Sequence, residues 1–505
     1  MRYAWIARLI ALGILPVALM PAGWGQGSLP NSGLIYMQTI PIPGWKPTGT
    51  TGNGNVDLMG YNPVTRMMYL ADRTNAGVDV IDTHTNQVVG LIKVPGIPPC
   101  PIPPSAGCPN GVLVAIDLQQ LVVTDGLDSV YVWDLRAPQA QPDVYTIPTS
   151  LGTNTDGIAY NPVNQTVYVV TDNPPEYLIG INLPQKKIVS QTAIPVSADL
   201  IAFNPVDGKI YISTEDGDPA PPNTNANAGV YSFDPVAGTI SLVSKVGPAC
   251  PGHGIDIDPI SNIAVMGCFG GTGDKGDVAV NLTTGALVTT FTDVGGTDAV
   301  VFNPNLRRFY ASGALGTATT SGCPKGTGPF TPILGVVDAS GPASGPVRLD
   351  GAACIGGGHI VGVDPITNFV YVPVTQYPAD PTSGTTGVNG VMVFWDSSPL
   401  TQATVTTASA TLASVGSGTS KATVQMQSYG RRFHVYAAPS GISGRTAWLV
   451  IQTTVGNELL QCAVNPSTGN GGCGEDLVGE PLIGGPVTLS VDGVAAARGT
   501  ITRIQ

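Results

Sequence analysis

The stretch YNPVTRMMYLADRTNAGVDVIDTHTNQVVG, Tyr61–Gly90, decides the fold. Its Asn-Pro pair marks a tight turn, because Pro63 fixes its own φ and the Asn62 side chain can bond to nearby backbone. An alternating strand then resumes at Met67–Asp72, and two more strand-like runs, Val78–Asp82 and Val88–Val94, follow at hairpin spacing. The unit is therefore a short four-stranded meander.

The same anchor recurs as YNP at Tyr160–Pro162, FNP at Phe203–Pro205, IDP at Ile257–Pro259, FNP at Phe302–Pro304 and VDP at Val363–Pro365, with a degenerate copy, AIDLQQLVV, from Ala115. The anchor Asn/Asp positions 62, 117, 161, 204, 258, 303 and 364 are separated by 55, 44, 43, 54, 45 and 61 residues, which fits propeller blades carrying loop insertions. The seventh unit stops after its third strand, Val391–Asp396, and a segment resembling the fourth strands, GLIYMQTIPI at Gly33–Ile42, precedes the first unit. The expected fold is all-β: a seven-bladed β-propeller over residues 33–398, closed by that N-terminal strand so that no blade is left with an open edge. Beyond Ser398 a Ser/Thr/Ala/Gly-rich stretch leads into alternating runs at Thr446–Val455 and Val487–Ala496, and residues 399–505 are expected to form a small β-sandwich or barrel.

The pattern of Tyr61–Gly90 resembles the YVTN/NHL-type propeller repeats of exported bacterial proteins, over roughly Gly33 to Ser398. The resemblance implies architecture rather than activity, since such propellers host binding proteins, lyases, lactonases and electron-transfer subunits.

Other features agree with an exported chain. Arg2 and Arg8, an apolar stretch from Leu9 to Met20 and small residues around Ala22–Gly25 read as a secretory signal peptide over residues 1–25, because the apolar stretch is shorter than the ~20 residues a bilayer needs. No later segment is long and apolar enough to span a membrane. The eight cysteines fall into neighbouring pairs, Cys100/Cys108, Cys250/Cys268, Cys323/Cys354 and Cys462/Cys473, and sequential disulfides are one of the 105 connectivities that eight cysteines allow. A formal charge of −12, with no basic run, excludes nucleic acid as a partner. Localisation is expected to be secreted, periplasmic or cell-surface.

In a four-stranded blade the Asn-Pro turns share one face, and the second-to-third loops and inter-blade connections share the other. Every long insertion falls on that second face, and so do the cysteines of the first three pairs. Disulfides there either hold long loops or stiffen a binding surface. The inter-blade position before each innermost strand is occupied by Asp57, Asn110, Asp156, Asp199, His253, Asp298 and His359, which are expected to ring the mouth of the central channel. Such oxygen and imidazole groups suit a divalent metal, Ca²⁺, Mg²⁺ or Zn²⁺, with His253, His359 and Asp156 as candidate ligands. A polar residue at this position equally suits a local backbone cap.

The settings PGHGIDID (Pro251–Asp258) and GGHIVGVD (Gly357–Asp364) are similar to the inter-blade histidine positions of propeller lyases, including the peptidylglycine amidating lyases and virginiamycin B lyase. That resemblance implies a metal held by His253 and His359, which become the candidate catalytic residues. A third histidine is absent from the equivalent positions, so Asp156 or Asn110 would have to take its place.

Other motifs are weaker. Glu215, Asp216 and Asp218 cluster in STEDGDP without the spacing of a calcium loop. Gly271–Gly276 satisfies GxGxxG but is followed by a strand, so no nucleotide site is expected. Asp72, Asp125 and Asp172 read as turn caps, His84 faces the Asn-Pro side, and His434 belongs to the tail. The absence of CxxCH excludes haem attachment. The primary expectation is an exported binding protein that presents a disulfide-stiffened acidic face to a protein or small-molecule ligand or a metal ion. A metal-dependent lyase or lactonase and a surface-structural protein are the alternatives.

Overall fold

The computed structural model describes residues 33–45, 56–97, 100, 107–215, 227–248, 250–259, 261–269, 276–304, 306–316, 331–339, 347–355, 360–374, 390–398, 407–415, 419–429, 432–442, 447–453, 456–464, 471–477, 481, 484–491 and 494–503. Seven antiparallel four-stranded sheets form a propeller ring, and a further sheet is built from the C-terminal strands. Among the described residues the only helical pieces are the three-residue turns Ile116–Leu118 and Thr149–Leu151.

Blade one shows how sequence becomes strand. Its strands are Val56–Asn62, Met67–Asp72, Gly77–Asp82 and Gln87–Lys93, paired in chain order. The inner three bury most of their residues, while the outermost leaves Gln87, Val89 and Lys93 exposed, as a strand with one wet face must. The anchor residue closes the first turn: Asn62 Oδ1 accepts from Val64 N at 3.0 Å. Asn161, Asn204 and Asp364 repeat this bond to the residue two ahead, at 2.9, 3.0 and 2.9 Å.

Anchors also tie blades together. Tyr61 Oη donates to Asp364 Oδ1 and Thr83 Oγ1 donates to Asp364 Oδ2, both at 2.7 Å, so the seventh anchor grips the first blade. Tyr160 Oη donates to Asp117 Oδ2 at 3.0 Å, and Arg307 Nη2 to Asp258 Oδ2 at 2.6 Å. The ring is closed out of chain order by strand pairing: the strand Leu34–Ile40 pairs antiparallel with Gly390–Asp396, in register from Leu34 opposite Asp396 to Ile40 opposite Val391. It supplies the outermost strand of blade seven, whose others are Gly362–Asp364 and Phe369–Val374.

The C-terminal strands Thr407–Ser414, Lys421–Tyr429, Arg432–Ser440, Ala447–Thr453, Gly456–Val464, Gly471–Leu477, Pro486–Val491 and Val494–Thr500 pair in a circuit. It closes because Thr407–Ser414 bonds both to Lys421–Tyr429 and, through Ala413 and Ser414, to Val494–Thr500. The result is a barrel, around a core that includes Val424, Val435, Leu449, Ile451, Leu460, Val487 and Leu489. It meets the ring at blade two, where a Cβ on Gly456 would stand 3.3 Å from Ile116 Cδ1.

Candidate functional site

The innermost strands of five blades carry an irregularity at the same place. In blades one, three, four, five and six the ladder with the second strand skips a residue between Val56 and Met59, Thr155 and Ile158, Ala198 and Ile201, Gly252 and Ile255, and Thr297 and Val300. The extra residue is a bulge, which frees a side chain from the pleat and re-aims it. Asp57, Asp156, Asp199, His253 and Asp298 occupy these bulges. They therefore belong to the strands themselves rather than to the connections before them. Among the described members of the set, Asn110 alone precedes its strand, Val112–Ala115, bonding through its N to Thr124 O at 3.0 Å.

In three blades a glycine follows the mouth residue, and close approach of the next blade explains it. A Cβ on Gly254 would lie 2.7 Å from Asp298 O, and one on Gly111 would lie 2.5 Å from Asp156 O. A Cβ on Gly157 would overlap Asp199 O. The dipeptides Asn110-Gly111, Asp156-Gly157 and His253-Gly254 thus pair a polar group for the mouth with a glycine that lets neighbouring blades touch.

These residues fall into two differently balanced groups. On the side of blades one and two, Arg73 is ion-paired with Asp57, and its Nη2 donates to Asn110 Oδ1 at 2.7 Å. On the other side stands His253. Its Nδ1 pairs with Asp199 and lies 3.3 Å from Asp298 Oδ1, and its Nε2 lies 2.8 Å from Glu215 Oε1. Asp199, His253 and Asp298 each offer a ligand atom, all within 4.8 Å of one another.

Surrounding groups hold these side chains in place. Gly252 pairs with Cys268, and the Cys250–Cys268 disulfide, with Cα atoms 4.7 Å apart, ties the strand of His253 to its neighbour. Phe269, next along, sets its ring edge-on to the imidazole with centroids 5.0 Å apart. Ser213 Oγ donates to His253 O. Glu176 Oε2 accepts from Ala198 N at 2.6 Å, beside Asp199. Asp277 accepts from Cys268 N at 3.0 Å and from Thr297 Oγ1 at 2.8 Å, fixing the backbone before Asp298. The insertion between blades one and two carries a second disulfide, Cys100–Cys108, with Cα atoms 5.9 Å apart. Cys462 is also disulfide-bonded; the side chains of Cys323, Cys354 and Cys473 lie outside the described residues.

The electrostatics are one-sided. Burial raises Asp199 to about 6; His253 opposes that rise, while Asp298 and Glu215 add to it. Asp172 is raised to about 8 by burial and then by Asp199, Glu215 and Glu176, and Glu176 to about 7, chiefly by burial. Asp156 is pushed well above the usual carboxylate range by burial and by Asp57, Asp199 and Asp172. Burial disfavours the His253 imidazolium, but Asp199, Asp298 and Glu215 outweigh it and hold its pKa well above the usual value. Among the described residues the cations acting on this group are His253 and Arg73, and Arg73 is already engaged by Asp57 and Asn110.

Of the other residues singled out from sequence, His359 lies outside the described residues, as do Asp216, Asp218 and 271–275. Asp72 and Asp125 cap turns: Asp72 Oδ1 accepts from Asn75 N at 3.0 Å, and Asp125 Oδ1 from Leu127 N and Ser129 N at 2.9 Å. Asp172 differs, since its Oδ2 accepts from Asn154 Nδ2 at 2.7 Å and its charge couples to the mouth. His84 bonds to Arg66 at 3.3 Å, in the turn between the outer strands of blade one. Glu215 and Arg73 join these two groups, and the anchor spacing did not reveal them. Both follow directly on a second strand, Ile210–Thr214 and Met67–Asp72, and that shared offset is a signal available in the sequence.

No family model matches the chain, and no curated protein matches it. Among solved structures, a chain from "Crystal Structure of Mitotic Checkpoint Complex" is 12% identical to this one, with a TM-score of 0.48, over 77% of this chain and 98% of that chain.

Proposed function

We propose that the protein is an exported binding propeller whose acidic channel mouth takes a divalent cation, alone or as the bridge to a ligand or protein partner on the loop-rich face. The observation that carries this reading is the convergence of Asp199, His253 and Asp298 within 4.8 Å. Each of the three has a donor atom suited to Zn²⁺ or a similar ion. Glu215 on the second imidazole nitrogen plays the part of an outer carboxylate, fixing ring orientation and leaving Nδ1 for the ion. A cation at Nδ1 would offset the repulsion among carboxylates that adds to burial in raising Asp199, Asp172 and Asp156. Export is supported by disulfides in two separate segments, which persist in oxidising compartments.

The test is isothermal titration of Zn²⁺, Mn²⁺ and Ca²⁺ into chelator-treated protein, native and with Asp199→Asn and Asp298→Asn combined. Native protein should bind one equivalent of at least one ion, and the double variant should bind at least about tenfold more weakly, a loss of about 1.4 kcal/mol. Equal affinity in the two proteins, or no binding by native protein at millimolar ion, contradicts the proposal.

A further inference from the structure

The anchor residues do more than turn their own strands. Asn62, Asn161, Asn204 and Asp364 each use one side-chain oxygen on the backbone two residues ahead. Asn and Asp serve that turn equally well, so the turn does not explain which of them stands in a given blade. The two differ in the second side-chain atom, which donates in Asn and accepts in Asp.

At six of the seven joints that second atom meets the left-handed residue that ends the anchor turn of the following blade. Asn204 Nδ2 donates to Asn262 Oδ1 at 2.8 Å, Asn303 Nδ2 to Asn368 Oδ1 at 3.1 Å, and Asn161 Nδ2 to Gly208 O at 3.5 Å. The Asp anchors meet donors instead. Arg307 Nη2 donates to Asp258 Oδ2 at 2.6 Å, Gln165 Nε2 to Asp117 Oδ2 at 3.3 Å, and Arg66 Nη2 stands 3.7 Å from Asp364 Oδ2. The six receiving residues share one backbone geometry, with φ between 53° and 75°, so they differ only in the chemistry they present. Both receiving arginines follow an Asp anchor, and both receiving asparagines follow an Asn anchor. The pattern lapses only beside the degenerate unit, where Asn62 Nδ2 is buried without a partner and Arg73 bridges blades one and two from Asp57 to Asn110.

We infer that these latches form a donor–acceptor code between consecutive blades, in which each anchor selects the blade that follows it. Blades built from one repeat can pair with a wrong neighbour or with another copy of the chain, and a mismatched latch makes such pairings costly. None of the latch residues belongs to the Asp199–His253–Asp298 group, so the code and the cation stand or fall separately.

The experiment measures urea midpoints of the full chain by near-ultraviolet circular dichroism. Arg307→Asn leaves the buried Asp258 carboxylate without its cation, and Asp258→Asn leaves Arg307, only 7% exposed, without its anion. Each should lower the midpoint by about 0.5 M or more. Combined, they rebuild the amide pair seen at Asn204 and Asn262, so Arg307→Asn should raise the midpoint once Asp258→Asn is present. A second joint runs the exchange the other way. Asn262→Arg should lower the midpoint, Asn204→Asp should restore most of it, and Asn161→Asp, at the preceding joint, should not. The inference is overturned if Arg307→Asn costs the same with and without Asp258→Asn, if Asn204→Asp fails to rescue Asn262→Arg, or if Asn161→Asp rescues it equally. Should the Asp258 and Arg307 variants fail to fold, the Asn262→Arg series decides the matter alone.

Discussion

At the scale of single residues, the mouth depends on how an imidazole is held between carboxylates. In the proposed site Glu215 acts through His253 rather than on the ion, so Glu215→Ala should weaken cation binding about ten- to a hundredfold. If Glu215 merely ends a strand, calorimetry will find affinity unchanged. Asp117 offers a separate test. Burial raises it to about 6, above the ~3.9 of an unfolded chain, so the folded state holds its proton more tightly. Its contribution to stability is therefore fully present below about pH 4 and is lost as pH rises through about 6, amounting to about 3 kcal/mol at most. Asp117→Asn keeps an acceptor for Tyr160 and should stabilise the protein at pH 8 but not at pH 4. Urea melts at the two pH values check this, and an equal effect at both would refute it.

At the scale of elements, the anchor turns were legible because their chemistry is local: an Asn or Asp side chain reaches the backbone two residues ahead, and proline follows. The sequence reading of the second strand of blade one, Met67–Asp72, matches the structure, while neighbouring strands shift by a residue or two, as Val88–Val94 does against Gln87–Lys93. Bulges were not legible, because a skipped residue depends on the partner strand. Two changes probe the elements. A chain beginning at Thr48 lacks the strand that pairs with Gly390–Asp396, and it should lose cooperative unfolding and solubility. Gly254→Ala forces a Cβ to within 2.7 Å of Asp298 O and should cost about 1–3 kcal/mol in a denaturant melt. A loss well below that would mean the blades can part at the mouth without strain.

At the scale of the whole molecule, the ring gathers carboxylates from several blades into one low-dielectric mouth with few cations to balance them. An ion bound to the folded state alone stabilises it by mass action, by about 2.7 kcal/mol at a hundredfold excess over Kd. Thermal melts should therefore rise on adding the ion that binds, and the rise should vanish in the Asp199→Asn, Asp298→Asn double variant. The most direct measurement is the ¹⁵N resonance of the His253 imidazole, assigned by comparison with His253→Ala, during titration of chelator-treated protein with that ion. A large shift is expected at Nδ1, between Asp199 and Asp298, while Nε2 keeps its proton toward Glu215. Saturable ion binding that leaves both nitrogens of His253 unmoved would contradict it.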